Sequence, residues 1–193
     1  MPANTIEENQ YRSPISDGDQ VWLFGYGSLI FKVDFSYLES KPASIRGWSR
    51  RFWQGSHDHR GTENNPGRVV TLIESPDAVC GGVAFLVESA VFNHLDVREK
   101  NGYLRFTTEL TFSDGTHDKG LVYIATPDNE AYLGEANECD IAQQICCAKG
   151  TSGPNRDYLI ELAGALRGLG LNDRHVFDIE LHLRQIIEDG SSP

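Results

Sequence analysis

From Val21 onward the chain sets short apolar runs between turn residues: VWLFG (21–25), SIRGWSRRFWQ (44–54), RVVTLIE (68–74), GGVAFLVE (81–88), YLRFTTELTF (103–112) and GLVYIAT (120–126). Six strand candidates separated by Gly, Pro, Asn and Asp clusters predict a mainly antiparallel sheet or a small barrel. One helix interrupts them at SAVFNHLDVREKN (89–101), with Ser89 as its N-cap and Val91, Leu95 and Val97 turned inward. This helix delivers Arg98, Glu99 and Lys100 at its end.

After Asn137 the apolar spacing changes to three and four. Ile141, Ile145 and Cys146, then Leu159, Leu162, Leu166 and Leu169, then Val176, Ile179, Leu183 and Ile186 predict three core-facing helices. The first twenty residues are polar and without periodicity, which predicts a disordered extension over 1–20, one domain over 21–188 and a flexible tail over 189–193. No internal repeat or low-complexity segment is present.

The composition narrows the partners. A chain of 193 residues, 39% hydrophobic, is long enough for one substantial core. Its net charge of -11 excludes nucleic acid and anionic membrane as main partners, since both need a basic footprint. Residues 46–105 nevertheless carry eight Lys and Arg against seven Asp and Glu, so an anionic small molecule would be steered there. No run approaches the roughly 18 apolar residues that span a bilayer, and the N-terminus lacks the pattern of a signal peptide, which predicts a cytoplasmic protein. Cys80, Cys139, Cys146 and Cys147 form no C-x-x-C pair and read as buried, reduced thiols.

Three clusters carry candidate chemistry. GYGSLI (25–30) ends the first strand but has isoleucine where a dinucleotide fingerprint or a nucleophile elbow needs its last glycine, and it lacks the lysine of a P-loop. Either it is an ordinary glycine turn, or Gly25 and Gly27 adopt positive φ and aim backbone N–H groups into an anion-binding concavity. RGWSRRFWQGSHDHRG (46–61) alternates Arg51 and Trp53 against Arg50 and Phe52. It suits either a pocket for a charged peptide or a strand edge bearing arginines, while His57 and His59 lack a third ligand for a metal. LDVREKNGY (95–103) places a carboxylate at a helix end, either as a general acid/base or as a solvated face.

Taken together, VWLFGYGSLIFKVDF, SRRFWQGSHDHRG, PGRVVTL, REKNGY, YLG and SGPNRDYLIEL, in this order and spacing, resemble the ChaC-type glutathione-specific γ-glutamylcyclotransferases over about Val21 to Ile187. The sequence departs from the family pattern at Phe31, often Trp, and at Asn101, often Gly, and residues 1–20 have no family counterpart. The resemblance implies an α+β fold, a small mixed β-barrel with peripheral helices, and cleavage of glutathione to 5-oxoproline and cysteinylglycine. It assigns Glu99 as the general acid/base and Tyr26, Gly27, Ser28 and Leu29 as the cradle of the γ-glutamyl arm. Arg51, with the loop at His57, Asp58 and Arg60, would meet the anionic cysteinylglycine half, and Tyr132 would offer it a hydroxyl. No cofactor and no metal are implied. Two alternatives stay open: a cyclotransferase for γ-glutamyl amino acids or amines, and a non-catalytic regulatory binding protein.

Overall fold

The computed structural model describes residues 5–100 and 102–190, so residues 1–4, Asn101 and 191–193 lie outside it. Five strands, β1 (Gln20–Gly25), β2 (Glu39–Ser56), β3 (Gly67–Glu88), β4 (Tyr103–Phe112) and β5 (His117–Ala125), close a barrel in the order β1-β3-β2-β4-β5. β1 runs antiparallel to β3, with Gly25 opposite Val83, and parallel to β5, with Leu23 opposite Leu121. The mainly antiparallel expectation holds, and the parallel β1–β5 pair makes the barrel mixed. Among the described residues five helices accompany it: α1 (Ile6–Arg12), α2 (Val91–Arg98), α3 (Glu138–Cys147), α4 (Asn155–Gly168) and α5 (Arg174–Gly190).

Two of the six predicted strands are one. RVVTLIE and GGVAFLVE both belong to β3, and Ser75–Asp77 continue the strand instead of turning it. The turn composition of that stretch reflects exposure at Glu74, Pro76 and Asp77, where the strand has no apolar face to cover. In β2 the buried side chains alternate as Ala43 and Ile45 before Gly47 and as Arg50, Phe52, Gln54 and Ser56 after it, with Gly55 buried as well. Gly47 has φ +82°, a left-handed residue inside a strand, and the change from odd to even inward positions is that of a β-bulge.

The chain forms two compact units, one of Met1–Ser49 and Leu72–Glu130, the other of Arg50–Thr71 and Ala131–Pro193. In the first, Leu23, Leu29, Phe85, Val87, Phe92, Leu95, Leu121 and Tyr123 form the core. Gly82 lets β1 and β3 approach: a Cβ there would stand 2.2 Å from the Gly25 carbonyl oxygen. On α2 Phe92, Leu95 and Asp96 are buried and Val91 packs against the core as expected, while Val97 faces solvent. Ser89 does not cap this helix, because its Oγ accepts the Gly18 N–H at 3.1 Å.

The expectation of disorder over residues 1–20 is corrected for the described part. α1 is fastened by Asn9, whose Nδ2 donates to the Tyr103 carbonyl at 3.1 Å and whose Oδ1 accepts the Arg105 N–H at 2.7 Å. Buried polar residues, not an apolar stripe, hold the helix, since Thr5 at its N-cap also donates its hydroxyl to the Lys100 carbonyl at 3.1 Å, so it has no hydrophobic periodicity to show.

In the second unit, Ile141 and Ile145, Leu159, Leu162 and Leu166, and Val176, Ile179 and Leu183 are buried as their spacing predicts. Asn137 caps α3, its Oδ1 accepting the Asp140 N–H at 2.9 Å, and Asp173 Oδ1 accepts the Val176 N–H at 3.2 Å at the start of α5. A two-stranded ribbon, β6 (Lys149–Gly150) with β7 (Gly153–Pro154), joins α3 to α4. Two smaller expectations are corrected. Asp189 and Gly190 belong to α5 and not to a tail, and of the four free cysteines only Cys80 is buried.

Candidate active site

The strand β1 stops at Gly25, and the chain enters a single 3₁₀ turn at Ser28–Ile30. Neither Gly25 nor Gly27 has positive φ; Gly27 sits at φ -126°, ψ -127°. The sequence-based reason for these glycines is therefore corrected. At Gly25 the reason is space, since a Cβ would lie 2.9 Å from Leu29 Cβ. Within the turn, hydrogen bonding begins with Ile30 N–H to the Gly27 carbonyl at 3.0 Å, so the turn itself does not use the amides before it.

The side chains of this segment are tied down. Leu29 is buried in the core, leaving its backbone alone to meet a ligand. The buried Tyr26 donates its hydroxyl to the Tyr123 carbonyl at 2.8 Å. Ser28 Oγ accepts from Arg98 Nη2 at 2.9 Å.

Glu99 directly follows the last residue of α2, its N–H donating to the Leu95 carbonyl at 2.8 Å. Its Oε1 lies 3.3 Å from Arg98 Nε, and its side chain is 15% exposed. Arg98 also pairs with Asp34 and donates to the Lys32 carbonyl at 3.3 Å. Burial pushes the Glu99 carboxyl up to about 7, with Arg98 opposing the rise and Asp34 adding to it. The structure thus brings Tyr26, Gly27, Ser28, Leu29 and Glu99 together in the first unit, with Arg98 linking Ser28 to Glu99.

Sequence reasoning missed a second carboxylate here. Asp96, one helical turn before Glu99, is buried and accepts the Tyr123 hydroxyl at 2.6 Å. Burial raises its pKa, while Tyr123 and Arg105, whose Nε is 3.6 Å away, work against the rise. Burial and the Asp96 bond together raise the Tyr123 phenol and keep it neutral. The i, i+3 spacing of Asp96 and Glu99 was available as a signal, but nothing in LDVREK marks the aspartate as buried.

Arg51 and Tyr132 belong to the second unit. Arg51 is half-buried, donates to the Arg50 carbonyl at 2.7 Å and lies over the Trp53 ring at 6.0 Å. Its neighbours Arg50 and Phe52 are buried, as the alternation predicts. Tyr132 bridges to Gln54, so it follows the Phe52–Gln54 face of β2 and not the Arg51–Trp53 face. Arg60 is buried and donates to the Pro154 carbonyl at 3.0 Å, and Asp58 accepts Thr151 N–H at 2.8 Å through its carbonyl. Exposed His59 lies 3.1 Å from Ser152 Oγ through Nδ1. Among the described residues no three His, Cys, Asp or Glu side chains converge as a metal site would need.

A family model described as ChaC-like protein matches residues 21–186. γ-Glutamylcyclotransferase 2-3 of Arabidopsis thaliana is 47% identical over 181 residues, covering 88% of this chain and 91% of the relative. Glutathione-specific γ-glutamylcyclotransferase 1 of Danio rerio is 45% identical over 180 residues, with 88% and 91% covered. The crystal structure of the yeast γ-glutamyl cyclotransferase specific to glutathione superposes with a TM-score of 0.80 at 31% identity, covering 86% of this chain and 96% of that one.

Proposed function

Because the chain belongs to the ChaC-like family, we propose that it is a glutathione-specific γ-glutamylcyclotransferase in which Glu99 is the general acid/base. The observation that carries this reading is the Glu99 carboxyl itself: nearly enclosed, poised at about 7, and joined through Arg98 to the turn that ends β1. Relatives named glutathione-specific γ-glutamylcyclotransferase match over most of the chain and support it.

The chemistry suits such a site. The γ-glutamyl group carries its own nucleophile, an α-amine that closes a five-membered ring on the γ-carbonyl. A C–N bond forms to the α-nitrogen, and the C–N bond to cysteine breaks. The products are 5-oxoproline and cysteinylglycine. Glu99 takes one proton from the α-ammonium to free the nucleophile, the ring nitrogen gives up a second as the ring closes, and both pass to the cysteine nitrogen, which leaves as an ammonium. A pKa near the working pH serves both halves of that transfer. The backbone of Gly27–Leu29 holds the γ-glutamyl arm in its cyclising conformer, where proximity replaces an external nucleophile. Arg51 attracts the anionic tripeptide, and Tyr132 offers it a hydroxyl. Free Cys80, Cys139, Cys146 and Cys147 fit the reducing cytoplasm, where this reading places the protein. No helix among the described residues is long and apolar enough to cross a membrane.

The test is incubation of the purified protein with reduced glutathione, with and without a chelator. Equimolar 5-oxoproline and cysteinylglycine, insensitive to the chelator, are expected. Glutathione left untouched by the folded protein would overturn the reading.

A further inference from the structure

Four arginines among the described residues are buried: Arg50, Arg60, Arg68 and Arg105. Three have a carboxylate nearby: Arg50 lies 2.5 Å from Asp173, Arg60 3.9 Å from Glu161 and Arg105 3.6 Å from Asp96. Arg68, 7% exposed, forms no ion pair with the described residues.

Its guanidinium is held by neutral acceptors alone. Nε donates to Gln144 Oε1 at 2.7 Å, and Nη1 donates to the carbonyls of Phe52 at 2.9 Å and Gly134 at 3.0 Å. These acceptors are themselves fixed. Gln144 Nε2 donates to the Pro66 carbonyl at 2.8 Å, and Asn155 brackets the Arg68 backbone, accepting its N–H at 2.7 Å and donating to its carbonyl at 2.9 Å. Leu133 and Gly134 both donate to the Trp53 carbonyl, so the segment that supplies Gly134 is laid along β2.

Three of the five guanidinium N–H groups are therefore committed, and the two on Nη2 are not. Nη2 is not sealed from solvent either, because the buried side-chain polar atoms without a partner, among the described residues, are Trp53 Nε1 and Arg105 Nε. A buried cation served only by dipoles is costly unless an anion completes it. Asp140 is an acid whose charge Arg68 feels, but it lies beyond ion-pair distance and its carboxylate accepts from Asn137 Nδ2 at 2.7 Å. Tyr132 interacts electrostatically with Arg68, and its hydroxyl makes no hydrogen bond to the described residues.

We propose that Arg68 is a carboxylate-binding residue, whose open Nη2 edge takes a ligand carboxylate with the Tyr132 hydroxyl beside it. The assignment deepens the glutathione reading and rests on it: the carboxylate is that of the glycine in the cysteinylglycine half. A guanidinium locked on one edge presents the other in a fixed direction, which suits a planar carboxylate. Arg51 differs, since its charge is already served by solvent.

The test compares glutathione with its glycinamide analogue, in which that carboxylate is a neutral amide. Wild-type kcat/KM is expected to be about tenfold or more lower for the amide. In Arg68→Gln the preference should fall towards one, whereas Arg51→Ala, at a half-exposed residue, should keep most of it. Equal use of acid and amide by the wild type, or an unchanged ratio in folded Arg68→Gln, overturns the proposal. If Arg68→Gln does not fold, Arg68→Lys decides, because an ammonium cannot hold the inner carbonyls and also reach outward; an unchanged ratio there overturns it too. Calorimetric binding of cysteinylglycine against its amide separates the two readings. A wild type that cleaves no glutathione yet prefers the acid keeps the Arg68 site and sinks the reaction, and one without that preference sinks the site.

Discussion

Arg98 and Glu99 are consecutive in the chain and paired in space, Nε standing 3.3 Å from Oε1. The same guanidinium reaches Ser28 Oγ and Asp34, so one cation ties the end of α2 to the turn after β1. A carboxylate raised by burial and restrained by this cation sets the expected behaviour of the site.

Replacing Glu99 by Gln should separate activity from stability. Turnover of glutathione should fall by about 10²- to 10⁴-fold, the usual loss for a general acid/base. Stability should move the other way. The folded pKa, about 7, lies above the ordinary 4.5, so the protonated form is favoured in the fold and stability is lost as pH rises from 4.5 through 7. The full loss is on the order of 3 kcal/mol, from about 1.4 kcal/mol per pKa unit. Urea titrations should find Glu99→Gln more stable than wild type at alkaline pH, with the difference shrinking towards acid.

The acid limb of kcat/KM should titrate near pH 7 in the wild type, activity rising as Glu99 loses its proton. Arg98 holds that pKa down, so Arg98→Gln should shift the limb to higher pH. A pH–rate profile of the variant checks this: activity lost at neutral pH should partly return on the alkaline side.

Ser28 Oγ accepts a hydrogen bond from Arg98 and donates none to a carboxylate or imidazole among the described residues. Ser28→Ala should therefore cost about tenfold or less, the scale of one hydrogen bond to a charged group. A loss on the scale of Glu99→Gln, in steady-state assays of folded protein, would make Ser28 a chemical participant.

Asn9→Ala removes both bonds that the Asn9 side chain makes to β4 and leaves the Arg105 N–H buried without its acceptor. The expected destabilisation is about 1–3 kcal/mol. Urea midpoints measure it, and hydrogen exchange at the Arg105 amide should accelerate.

Strands β1 and β5 and the three C-terminal helices were legible because their buried positions form apolar stripes. What escaped was held by polar residues or by backbone geometry. α1 hangs on Asn9, β3 crosses an exposed stretch that reads as a turn, and Gly47 switches the inward face of β2 without changing its composition. At the site, Glu99 was reached through family resemblance, since REK alone looks like a solvated face. Asp96 and Arg68 were not singled out, because burial of a charged residue depends on the partners that folding brings to it.

Each of the two units is built from two separate stretches of chain, and this sets a schedule for the ribosome. Arg50–Thr71 emerges early, but the rest of its unit begins at Ala131. Translating the intervening stretch takes roughly 3–12 s at about 5–20 residues per second. During that wait Phe52 has no Tyr158 or His175 to pack against, since both rings are still unmade. The nascent chain therefore carries an apolar strand without its cover for seconds, and the period of greatest demand for a holdase comes before the C-terminal helices leave the exit tunnel.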